Sequence, residues 1–128
     1  MRIVIERVSR GPDHGLTGSD VKAVVRTVES KLGRFPGLVV HLKSTQPENG
    51  AFDRPVIYSQ VSNRLNVMCR GLPRKVAVKE LLWALIALGT RESLRNRHRL
   101  SAEELKGIDA KVAEILPVVL AAVTKGTA

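Results

Sequence analysis

The chain of 128 residues has one cysteine, four aromatic residues, three histidines and a shortage of acids. Each scarcity removes a class of function. A lone Cys69 rules out an internal disulfide. Its neighbours in LNVMC place it on a strand as a small buried hydrophobe, as suits a reducing cytosol. Phe35, Phe52, Tyr58 and Trp83 are the whole aromatic set, too few to build a stacking platform for single-stranded nucleic acid. His14, His41 and His98 sit far apart with no pair at ligand spacing. No apolar run reaches the eighteen or so residues that a membrane span needs. The opening MRIVIERVSR lacks a continuous apolar stretch with a small-residue cleavage site, so a soluble intracellular chain is expected. G-x-S-x-G, G-x-x-x-x-G-K, G-x-G-x-x-G and paired cysteines are all missing, which leaves catalysis without positive support.

Basic charge is abundant. Lys and Arg number 21 against 12 Asp and Glu, a formal charge of +9. The excess concentrates between Leu65 and Arg99, where eight bases (Arg70, Arg74, Lys75, Lys79, Arg91, Arg95, Arg97, Arg99) face two acids, Glu80 and Glu92. Such a field attracts phosphate backbones and acidic protein surfaces alike.

At 44% hydrophobic residues, the length suits one domain, 1–128, with an aliphatic core. That core is organised around PRKVAVKELLWALIALG, Pro73 to Gly89. From Val76 to Leu88 only Lys79 and Glu80 are polar, so this helix runs through the interior, with Pro73 at its first position and Gly89 just past its end. Before it, Arg2–Val8 is predicted as a strand and Ser9–Gly18 as a loop. A helix capped by Ser19 follows, with Asp20 in its first turn and Val21, Val24, Val25, Val28 and Leu32 on one stripe. Leu38–Lys43, Val56–Val61 and Arg64–Arg70 are predicted as strands, the last two joined at Ser62-Asn63. Leu65, Val67 and Cys69 would share one side, and Asn66 and Met68 the other.

After the central helix comes a basic connector, 90–100. A capping box at Ser101–Glu104 then starts a last helix over 101–124, with Leu105, Ile108, Val112, Ile115 and Val119 inward and a kink at Pro117. The tail, 125–128, is expected to fray. The order is β-α-β-β-β-α plus a C-terminal helix: an α+β protein with a small mixed sheet and helices packed on one face around the buried central helix.

This order resembles the catalytic core of zincin metallopeptidases, whose helix after the last strand carries His-Glu-x-x-His. That motif sets two histidines one turn apart to grip zinc, with the glutamate as general base. The corresponding residues here are Lys79-Glu80-Leu81-Leu82-Trp83, and only Glu80 matches. A lysine ammonium repels Zn²⁺, and the Trp83 indole has no ligand lone pair. The resemblance implies a zincin-like scaffold that has lost its metal. Glu80 is equally well a solvated residue whose charge suits the start of a helix. Gly15-Leu-Thr-Gly18 resembles the GxxG loop of KH domains, though Ser9–His14 is too short for the helix that should precede it.

A non-enzymatic module is therefore expected, without metal or cofactor, binding a macromolecule through Arg74, Lys75, Arg91, Arg95, Arg97 and Arg99. An acidic protein is one partner; sequence-tolerant DNA or RNA binding is the alternative. An enzyme with a dispersed site would have to draw on Glu80, His41 and His98.

Overall fold

The computed structural model describes residues 2–5, 16–43, 55–59, 61–89 and 101–125. Four strands, β1 (Arg2–Ile5), β2 (Val39–Leu42), β3 (Val56–Ser59) and β4 (Arg64–Val67), and three helices, α1 (Gly18–Leu32), α2 (Arg74–Gly89) and α3 (Ala102–Lys125), follow one another as β1-α1-β2-β3-β4-α2-α3. The sheet is mixed, in the order β1-β2-β4-β3. β1, β2 and β4 run parallel, and β3 closes the edge antiparallel to β4. This is the α+β architecture expected from the sequence, with the helices on one face.

Alternation places the sheet. Val40 and Leu42 of β2, Leu65 and Val67 of β4 and Val56 of β3 are buried toward the helices, and register sets Val40 beside Leu65 and Leu42 beside Val67. α1 lies over β1 and α2 over β3, while α3 packs against both helices. α2 is thus covered by sheet, α1 and α3, which accounts for a helix apolar on nearly every side. Val78, Leu81, Leu82, Leu85 and Ala87 are fully buried. Val76 is 43% exposed, on the side of the first turns opposite the buried Ala77 and Val78.

Several boundaries differ from the sequence expectations. The strands are shorter: β1 ends at Ile5, β2 at Leu42, β3 at Ser59 and β4 at Val67. Cys69 therefore lies beyond β4, in a turn where Leu72 N–H donates to Cys69 C=O (3.0 Å). Gly71 supplies the φ of 86° that the third position of a type II turn requires. Met68, expected on the side away from Leu65 and Val67, is buried but stands apart from the core that they form. β3 and β4 are joined by four residues, 60–63, instead of two, and Asn63 takes φ 48°. Its carbonyl accepts from Val39 N–H at 3.0 Å. Its side chain accepts from Tyr58 Oη at 2.8 Å and donates to Pro36 C=O at 3.0 Å, so the turn is fixed by Asn63 where a glycine would otherwise be expected.

The cap of α1 is Thr17, not Ser19. Asp20 N–H donates to Thr17 Oγ1 (3.1 Å) and Thr17 N–H to Asp20 Oδ2 (3.0 Å), a reciprocal capping box that starts the helix before the expected Ser19. Leu32, at the end of the α1 stripe, is 38% exposed, as is Leu105 in α3. Pro73 precedes α2 and Gly89 is its last residue. The box at Ser101 and Glu104 forms as expected, at 3.0 and 3.1 Å. α3 continues past Pro117 to Lys125, with Ile108, Val112, Ile115, Val119 and Val123 buried.

Leu85→Ala should lower unfolding free energy by about 2–5 kcal/mol in urea titrations, whereas Val76→Ala, on the exposed side of the same helix, should stay within about 0.5 kcal/mol of wild type.

Candidate functional site

Because β1, β2 and β4 are parallel, α1 and α2 both begin at the carboxyl end of these strands, where ligands bind in open sheets of this kind. The last turn of α3 arrives there as well. Arg74, the first residue of α2, donates through Nη2 to Asp20 Oδ1 and to Val123 C=O (3.3 Å). Asp20 is 2% exposed and the Arg74 side chain 40%. The carboxylate thus holds the α1 cap with one oxygen and the start of α2 with the other, and Arg74 carries the tie on to α3. At the far end of this helix pair Trp83 Nε1 donates to Asp109 Oδ1 (3.3 Å), so α2 and α3 run antiparallel. Trp83, on the helix expected to run through the interior, is a half-buried residue of this seam.

Of the predicted partner-binding residues, the structure places Arg74 and Lys75 together at the start of α2. Arg91, Arg95, Arg97 and Arg99 lie outside the described residues, as do His14 and His98. Arg74 has its charge balanced by Asp20. Lys75 and Lys79 are exposed and make no ion pair among the described residues. The first turn of α2 contains no acid. Lys75, in that turn, adds to the positive end of the helix dipole instead of opposing it, and Lys79 follows one turn on.

The positions corresponding to a zinc motif are also on this helix. Lys79 is exposed, Glu80 half-buried, and Trp83 spends its N–H on Asp109. Among the described residues no group of three His, Cys, Asp or Glu side chains could hold a metal ion. His41 is on β2, in the sheet. A cleft of about 380 Å³ at the opposite end of the helices, lined by Leu32, Ile86, Gly89, Glu104, Gly107, Ile108 and Lys111, brings together no nucleophile and base.

Cys69 is fully buried. Burial pushes its thiol from 9.0 up to about 12, and the negative charge of Glu80 adds to the push. A thiol so protonated is no nucleophile at neutral pH. The unfolded chain loses this proton first, so the group's contribution to stability is intact below pH 9 and is lost as pH rises toward 12. Ellman's reagent at pH 8 should leave the native protein unmodified and titrate one thiol in denaturant. Prompt reaction of the native protein would show the thiol to be accessible and ionised.

Two features escaped the sequence reading. Asp20 was assigned only to the helix dipole, although Thr17-x-x-Asp20 is itself a capping signature. The outward strand positions Arg2, His41 and Arg64 were not collected into one face, although strict alternation across the three strands assigns them to it. Among the described residues, no helix is long and apolar enough to cross a membrane. Compared with protein-family models, curated proteins and solved structures, the chain matches none.

Proposed function

We propose that the protein is a non-enzymatic binding module that takes an acidic segment of a partner protein at the basic start of α2. The observation that carries this reading is the pair of exposed lysines, Lys75 and Lys79, in the first turns of a helix whose opening turn has no acid. Cations at a helix N-terminus repel the dipole, and an anionic partner relieves that repulsion. Val76, 43% exposed between them, adds apolar area of the kind that protein partners cover. The basic connector with Arg91, Arg95, Arg97 and Arg99 follows α2 in the chain and extends the same charge in sequence. The scaffold is proposed to be a metal-free relative of the zincin core, on the support of element order and of Glu80 alone.

Sequence-tolerant nucleic-acid binding is the second reading, favoured by a separate concentration of cations on the sheet. The two are separated by fluorescence anisotropy with labelled polyglutamate and labelled duplex DNA over a range of salt. Lys75→Glu/Lys79→Glu should weaken polyglutamate binding by at least about tenfold, as repulsion replaces attraction at two sites, with an unfolding midpoint no lower than wild type because glutamate suits a helix N-terminus. Unchanged affinity would remove α2 from the interface. Binding of duplex alone, with a log–log salt slope of about 0.9 per phosphate contact, would establish the second reading instead.

A further inference from the structure

The face of the sheet turned away from the helices carries a constellation that the start of α2 does not share. Register sets Arg2, Val39, Arg64 and Ser59 in one line across the four strands, and Val4, His41, Asn66 and Ile57 in the next. Lys43 continues the alternation of β2 one residue past its end, its N–H still bonded to Val67 C=O at 2.8 Å. Among the described residues of this face there are three cations, Arg2, Lys43 and Arg64, and no acid. Proteins generally intersperse both signs on a surface, and a one-signed face marks a site for the opposite charge.

Arg64 is the centre of the arrangement. It is half-buried, and its Nε is shielded from solvent without a hydrogen-bond partner. A guanidinium cannot shed its charge, so a buried N–H of this kind calls for an acceptor. Its Nη1 lies 3.4 Å from His41 Nδ1. Arginine only donates, so Nδ1 is the acceptor in this contact. Asn66 supplies an amide on the adjoining line. Together they offer donors to an oxyanion: a forked guanidinium with an unused N–H, beside the Asn66 amide.

The spread of charge identifies the anion. Arg2 and Arg64 stand two strand spacings apart, roughly 10 Å, with Val39 between them, and Lys43 is four residues beyond Val39 along β2, roughly 13 Å. A single carboxylate reaches one of these cations. A phosphate, with more acceptor oxygens and up to two charges, satisfies the fork of Arg64 with oxygen to spare, and successive phosphates account for the outlying pair.

We infer that this face is a phosphate-binding site with Arg64 at its centre and Arg2 and Lys43 at its rim. The inference is independent of the proposed docking at α2, which lies on the helix side of the sheet. The phosphate can come from a free anion or from a nucleic-acid backbone, and the probes separate these sources. Inorganic phosphate and pyrophosphate would be titrated by calorimetry, and labelled duplex DNA and single-stranded RNA by anisotropy, all at low salt. Arg64→Gln is expected to weaken the bound probe by at least about tenfold, and Arg64→Lys to recover only part of that loss, since a point charge lacks the fork. Arg2→Gln/Lys43→Gln, altered away from the buried Nε, should weaken pyrophosphate and nucleic acid more than inorganic phosphate, and this variant carries the test should Arg64→Gln fail to fold. Lys75→Gln/Lys79→Gln should leave all four affinities unchanged. Binding of the small anions makes the source a free phosphate group; binding of DNA or RNA alone makes it the backbone. No binding of any of the four probes, or affinities indifferent to both sheet-face variants, would overturn the inference.

Discussion

The helix layer depends on one buried carboxylate. Asp20 is nearly inaccessible, and a charge so placed is tolerated only where donors surround it. Here they come from two directions: the backbone of its own capping box and the guanidinium of Arg74. Through Arg74 the tie continues to the last turn of α3. Three helix ends that share no sequence neighbourhood are thereby brought to one point at the carboxyl end of the parallel strands. Hydrophobic burial holds the layer together, but it is non-directional. Fixing which turn of α2 meets which turn of α1 and α3 falls to the directional bonds.

The same tie distributes the basic charge. By engaging Arg74 it removes one cation from the start of α2 and leaves Lys75 and Lys79 as the exposed pair. On the other side of the sheet the cations of β1, β2 and β4 face outward, with no helix of the described residues above them. A parallel core sheet is normally covered on both faces; among the described residues one face of this sheet has no cover and carries basic side chains. Among the described residues there are thus two separate positive surfaces, one on helix and one on sheet; the proposed occupants differ accordingly, carboxylates for the first and phosphates for the second.

The parts of the fold legible in the sequence are those written in local pattern. The run from Val76 to Leu88 is apolar on nearly all sides because sheet and two helices surround it, and composition alone conveys that. Period-two alternation in VVHL and RLNV gives the faces of β2 and β4, and Ser101 with Glu104 announces α3. Boundaries were less legible. Ser19 and Thr17 are both competent caps, and the choice falls to Thr17 because its partner three residues on, Asp20, is also claimed by Arg74. That claim spans 54 residues, and no local pattern carries it. The strands end early for a related reason: β-branched residues favour extension, but pairing stops where the neighbouring strand stops. Trp83 has the bulk of a core residue, yet its N–H needs an acceptor, and Asp109 on α3 keeps it at the seam. The candidate site was partly legible. Basic composition named Arg74 and Lys75, but only three-dimensional structure shows that one of them is committed to Asp20.

The measurement that bears most directly on this organisation is a double-mutant cycle on Asp20 and Arg74 by urea unfolding. Asp20→Asn keeps a side-chain acceptor for the capping box, and Arg74→Met keeps the apolar stem, so the cycle isolates the charged contact. A coupling of about 1–2 kcal/mol is expected, less than for a fully enclosed pair because the Arg74 side chain is 40% exposed. Additive effects, with coupling below about 0.5 kcal/mol, would show that packing alone aligns the three helices.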